Sequence, residues 1–210
     1  MDAHYLTVGP VAENTWIAVR DGRALLIDPG DWGDQIGAKI VELGVNVEAI
    51  LITHCHFDHV GAVAPMARML GAPVYCPKLE VPVLADIMSW VPWPGIGPYE
   101  SYDADETVEG GETLDLAGLR IEVVATPGHT EGHVTYVFPD EGVIASGDVL
   151  FQGSVGRTDR PNGDHQTLLD SIATLLERCP DDTIVLPGHS GTTTLGREKA
   201  TNPFLAEIAR

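Results

Sequence analysis

Short runs rich in β-branched and aromatic residues open the chain: HYLTV from His4, TWIAVR from Thr15 and RALLIDPG from Arg23, with turn residues between them. Runs of this kind predict three strands in a meander. In DQIGAKIVELG the apolar positions Ile36, Ile40, Val41 and Leu43 fall close to one helical stripe, and Gly44 is placed to end the helix. EAILIT reads as a short buried strand, and HVGAVAPMARMLG as a helix beginning near His59 that takes Pro65 in its first turns. PVYC predicts another strand, with a helix to follow somewhere in Leu79 to Trp90. The stretch WVPWPGIGPYESYDADE has neither period and reads as a loop. Strands resume with TLDL, LRIEVVAT, VTYVF and GVIASG. QTLLDSIATLLERC then forms an amphipathic helix with Leu168, Leu169, Ile172, Leu175 and Leu176 inward. DTIVLPGH supplies one more strand, and NPFLAEIA a terminal helix opened by Asn202 with Pro203 at its first position. This order predicts an α/β (α+β) chain of two mixed sheets with helices outside them.

A length of 210 residues suits one good-sized core and is short for two, so a single domain over 1–210 is expected. The 44% of hydrophobic residues, with abundant Gly and Pro, fit a globular, turn-rich protein. MDAHYLTVGPVAENTW has no basic start followed by an apolar run, and no window reaches the roughly 18 apolar residues of a membrane span. Thirty-one acidic against twelve basic side chains give a formal charge of −19, which repels nucleic acid and anionic membranes; neither is expected as a partner. Cys55, Cys76 and Cys179 form no CxxC and leave one thiol over in any pairing, which points to the reduced cytoplasm, with Cys55 a buried thiol.

The chemistry concentrates in LITHCHFDHVGA. His54 and His56 are two apart, and in an extended segment alternate side chains point the same way, so both imidazoles can reach one point. Asp58 and His59 follow where strand should give way to helix, and a turn there can aim a second pair at an adjacent point. Three histidines and an aspartate in six residues are unfavourable without a cation to share. Three further strands end in a glycine followed by a candidate ligand: ATPGHT presents His129, ASGDVL presents Asp148 and LPGHSG presents His189. Glycine permits the tight turn each needs. Converging strand ends are where ligand sites form in layered α/β proteins. His4 and His165 carry no such context.

THCHFDH, TPGHTEGH, SGDVLF and PGHSG resemble, in order and spacing, the metal-binding motifs of the metallo-β-lactamase-fold hydrolases. LFQGSVGRTDRPNGDHQTLLDSI and TTLGREKATNPFL are similar to the compact, single-domain glyoxalase-II-like (hydroxyacylglutathione hydrolase-like) branch. The resemblance implies a four-layer αββα sandwich and two divalent metal ions. His54, His56 and His129 would hold one, Asp58, His59 and His189 the other, and Asp148 would bridge them. His133 would be a hydrogen-bonding residue behind the ligands. The resemblance also implies a small-molecule substrate, an S-acyl conjugate such as S-lactoylglutathione.

Imidazole and carboxylate ligands without thiolate suit zinc, and also iron or manganese. Two divalent ions outweigh the two carboxylates, so the site would welcome an anion. Metal coordination lowers the pKa of water from about 15.7 to about 7, giving a hydroxide nucleophile at neutral pH that attacks the carbonyl, with Asp58 orienting it as the catalytic carboxylate. A thiolate leaves readily, which makes a thioester congenial. A mononuclear-iron persulfide dioxygenase using His54, His129 and Asp148, and a lactone or β-lactam hydrolase, stand as alternatives. With 21 residues after His189, no C-terminal helical glutathione-binding domain is expected, and oligomeric state is open. Arg157 is a candidate for the substrate carboxylate or for a scaffold pair with Asp159 or Asp148. Asp28 is a turn residue or a hydrogen-bond partner of a histidine, and Trp90 and Trp93 pack in the core or wall an acyl pocket.

Overall fold

The computed structural model describes residues 1–91, 93–206 and 208. Two compact units divide the chain, residues 1–108 with 115–119, and residues 109–114 with 120–210.

The first unit is built on a six-stranded sheet in sequence order: β1 (Asp2–Val8), β2 (Glu13–Arg20), β3 (Arg23–Ile27), β4 (Asn46–Leu51), β5 (Val74–Pro77) and β6 (Glu106–Val108). β1 to β3 form the expected antiparallel meander. From β3 onward the strands run parallel. A parallel pair needs a crossover, and α1 (Gly33–Leu43) supplies it between β3 and β4. α1 ends on Gly44 in the left-handed conformation, φ 65, the form that glycine adopts without steric cost. Ile36 and Ile40 face inward from it, but Val41, expected in the same stripe, is exposed.

The helix expected from His59 is two helices, α2 (Phe57–Val60) and α3 (Val63–Leu70), parted at Gly61 and Ala62. Pro65 sits in the first turn of α3, where its missing N–H has no helical acceptor to lose. Between Leu79 and Trp90 there are only short turns: a 3-10 turn Lys78–Glu80, α4 (Val81–Leu84) and a 3-10 turn Ile87–Trp90. The following stretch to residue 105 is irregular in its described residues, as expected, with Pro92 outside them. Ile17, Leu26, Ile50 and Val74 of the sheet pack with Ile36 and Ile40 of α1 and with Val63 and Met66 of α3 in one core.

The second sheet contains β7 (Thr113–Leu116), β8 (Leu119–Ala125), β9 (Val134–Phe138), β10 (Val143–Gly147), β13 (Ile184–Pro187) and β14 (Thr193–Thr194), in the order β14-β13-β10-β9-β8-β7. β11 (Leu150–Phe151) and β12 (Ser154–Val155) make a separate small hairpin. β10 and β13 are parallel, joined through α5 (His165–Arg178). Asp164 caps α5, its side chain accepting from Thr167 N–H, and Leu168, Leu169, Ile172 and Leu175 pack on Val124, Val137, Ile144 and Val185. Leu176 is only partly buried.

The predicted terminal helix is instead α6 (Leu195–Thr201) followed by a 3-10 turn Pro203–Leu205. Asn202 does cap that turn, accepting from Phe204 N–H; Glu207 and Ala209 lie outside the described residues. Among the described residues no helix is long and apolar enough to cross a membrane.

Candidate functional site

In the first unit the candidate ligands follow the carboxyl end of β4, beside the carboxyl end of its parallel neighbour β3, where the chain reads Asp28-Pro29-Gly30. Asp28, buried and left-handed at φ 49, reaches across to the loop after β4. Its Oδ1 accepts from Thr53 N–H at 2.7 Å, and its Oδ2 accepts from the Thr53 hydroxyl at 2.6 Å. Oδ2 also lies 3.0 Å from His59 Nδ1.

These bonds decide the tautomers. A carboxylate can only accept, so His59 Nδ1 carries the proton and Nε2 the lone pair. The Thr53 hydroxyl spends its proton on Asp28, so toward His54 Nδ1, 3.1 Å away, it can only accept. The lone pair of His54 is therefore on Nε2, which faces His56 Nδ1 at 3.2 Å. His59 Nε2 faces Asp58 Oδ2 at 3.8 Å. His54 and His59 are buried, whereas His56 and Asp58 are partly open. Asp28 is thus both the turn residue and the histidine partner that its sequence context left open.

The turn is tight. A Cβ on Gly30 would collide with the carbonyl oxygen of Asp58, so the Asp28 loop can pass behind α2 only with glycine there.

In the second unit His129 follows β8, Asp148 follows β10 and His189 follows β13. His129 Nδ1 donates to the carbonyl oxygen of Arg157 at 2.7 Å, which leaves the lone pair on Nε2, 3.4 Å from Asp148 Oδ2. His189 Nε2 lies 3.6 Å from the same oxygen, its ring edge-on to Phe151. His133 accepts the backbone N–H of Asp148 on Nε2 at 3.1 Å, and its Nδ1 is 3.0 Å from the Thr126 hydroxyl. It holds Asp148 from behind, the role its sequence position suggested. Gly156 repeats the device of Gly30, since a Cβ there would collide with the Asp148 carbonyl oxygen.

Each unit therefore presents electron-pair donors that face one another at under 4 Å, and in His54, His59 and His129 the opposite ring nitrogen is committed to an acceptor. That is the arrangement in which histidines ligate metal, and imidazole with carboxylate and no thiolate fits a divalent ion such as zinc. The described residues fit the implied metals.

Other expectations fare differently. The Arg157 guanidinium forms a two-pronged pair with Asp159, at 2.6 and 2.7 Å, and pulls that carboxyl down to about 2. The pair with Asp159 that the sequence offered is formed, and the Arg157 carbonyl touches a candidate ligand. Core packing for Trp90 and Trp93 is corrected: both are exposed, at 52% and 43%, and Trp93 packs edge-on against Phe57. Trp90 ends a 3-10 turn and Trp93 lies in the irregular stretch after it, and neither position turns its indole fully into the core. Two buried acids were not singled out from the sequence. Glu13 lies 3.9 Å from His59 Nδ1, and burial pushes its carboxyl well above the usual carboxylate range against the opposing pull of His59. Glu80 accepts the N–H of Cys55. The available signal was weak in both, a single acid with no other candidate ligand beside it in the sequence.

Residues 8–189 match the metallo-beta-lactamase superfamily. The chain is 38% identical over 184 residues to the hydroxyacylglutathione hydrolase GloC of Haemophilus influenzae, covering 87% of each. BLEG-1 B3 metallo-beta-lactamase has a similar structure, with TM-score 0.92 and 35% identity over 98% of this chain and 100% of that one. TTHA1623, solved in a di-iron-bound form, gives TM-score 0.81 and 40% identity over 96% and 100%. These likenesses bear out the expected fold class, and residues 8–189 contain every candidate metal ligand named above. The chain belongs to the metallo-beta-lactamase superfamily, whose metal-binding motifs its sequence had been seen to resemble.

Proposed function

We propose that this chain is a dinuclear metal-dependent hydrolase that cleaves a thioester, of which S-lactoylglutathione is the type, into a carboxylate and a free thiol. The observation that carries the reading is the fixed set of tautomers, His54 and His59 through Asp28 and His129 through the Arg157 carbonyl, each leaving an unprotonated nitrogen for a metal. His54, His56 and His129 would hold one ion, Asp58, His59 and His189 the second, with Asp148 shared. Zinc suits this donor set, and the di-iron form of TTHA1623 makes iron the next choice. The 38% identity to a hydroxyacylglutathione hydrolase supports a thioester over other acyl substrates. Three buried free cysteines suit a cytoplasmic enzyme.

When bound, such ions acidify water and stabilise the oxyanion of the tetrahedral intermediate. Asp58 Oδ2 orients the attacking water and accepts its proton. His59, held by Asp28 with its proton on Nδ1, would give its Nε2 lone pair to the second ion and so would not compete with Asp58 for that proton. Collapse of the intermediate breaks the C–S bond, and the sulfur leaves as a thiolate, which needs no dedicated acid.

Purified protein loaded with zinc or iron should release free thiol from S-lactoylglutathione without consuming oxygen. Oxygen uptake with glutathione persulfide and no thioester turnover would replace this reading with the dioxygenase. Ring opening of a lactone or β-lactam alone would replace it with a cyclic-ester or lactam hydrolase.

A further inference from the structure

The segment from Thr53 to His59 carries four candidate ligands and is itself short of regular structure until α2 begins. What holds it is an alternation. The odd residues Thr53 and Cys55 are pinned by their backbone N–H groups, Thr53 to Asp28 Oδ1 at 2.7 Å and Cys55 to Glu80 Oε2 at 3.0 Å. The even residues His54 and His56 are the ligands. Cys55 lies between the two histidines, so pinning its N–H fixes the peptide that joins it to His54 and limits the directions in which the flanking His54 and His56 side chains can leave the chain.

Cys55 is fixed at its other end too. Its thiol is buried against Cys76 of β5, Sγ to Sγ 3.6 Å, so the residue cannot turn to find another acceptor without leaving the core. Glu80 is 95% buried, at the end of the 3-10 turn that follows β5, and twenty-five residues separate it from Cys55. A buried carboxyl group needs hydrogen bonds to offset the water it loses, and the Cys55 N–H supplies one of them.

We infer that Glu80 is a positioning residue for the His54–His56 pair, acting through the Cys55 backbone to keep His54 Nε2 and His56 Nδ1 on one metal. The inference rests on the ligand assignment proposed above and not on the thioester. The role belongs to the acceptor oxygen. Gln, of the same length, retains one; Asp, a methylene shorter, cannot reach; Ala has none.

The test is zinc affinity of metal-free protein, read by competition with a chromophoric chelator, in wild type, Glu80→Gln, Glu80→Asp and Glu80→Ala. Circular dichroism and the melting temperature of each metal-free variant are recorded alongside. The expected result is affinity near wild type for Glu80→Gln and a loss of about 10- to 100-fold at one of two sites for Glu80→Ala and Glu80→Asp, with the metal-free fold intact. Wild-type affinity in Glu80→Ala would overturn the inference. So would an equal loss in Glu80→Gln, or a loss at both sites that follows the unfolded fraction. Absence of zinc binding in wild type would overturn the ligand assignment. Normal zinc binding without thioester turnover would leave the positioning role standing and remove the substrate.

Discussion

Asp28 organises more of this chemistry than any ligand does. One carboxylate sets the backbone of Thr53, the hydroxyl that fixes the His54 tautomer, and the proton on His59 Nδ1. Asp28→Ala should therefore lower metal affinity by about 10- to 100-fold, measured by chelator competition, and unchanged affinity would show that the histidines hold their tautomers without it. On the second unit, Asp159 is held at about 2 by the Arg157 guanidinium, below its value of about 3.9 in an unfolded chain. A depressed carboxyl contributes stability above its unfolded value and loses it as pH falls toward the folded one. The difference in melting temperature between wild type and Asp159→Asn should thus shrink toward zero between about pH 5 and pH 2. Both groups are exposed, so the difference is small throughout and shrinks further in salt. A difference that stays undiminished from about pH 5 down to about pH 2 would contradict the pairing.

Helix α5 anchors the second sheet, and its first turn passes close behind the strand end that presents His129. A Cβ on Gly128 would meet the backbone of Leu168, whose own side chain is fully buried. Leu168→Ala should cost about 2–5 kcal/mol in urea unfolding, and a cost under about 1 kcal/mol would mean that the helix repacks freely. This helix was legible in the sequence because a long apolar stripe repeats four times over, and the strands were legible because alternation or an unbroken apolar run marks each. Breaks inside helical stretches were not. The break between α2 and α3 falls at Ala62, φ −104 and ψ 8, beside Gly61, where a Cβ would strike the Gly30 carbonyl oxygen, a contact with a residue 31 positions away. Val41 fits a helical stripe by spacing alone, yet the side of α1 it occupies meets nothing. The ligand residues stood out because they cluster or follow Gly at strand ends, whereas Glu13 and Glu80 act through bonds to distant backbone and side chains that no local pattern records.

A formal charge of −19 surrounds a chain whose proposed substrates are themselves anionic. Bound divalent ions would reconcile the two, supplying positive potential where several of the basic side chains are already paired with acids such as Glu100, Asp159 and Glu122. The metal content of the whole protein is therefore the quantity on which everything else depends. Metal-free protein dialysed against zinc or iron and analysed by native mass spectrometry should carry two ions per chain. His54→Ala and His59→Ala should each reduce that number while remaining folded. A wild-type chain that takes up no metal, or variants that keep both ions, would contradict the account.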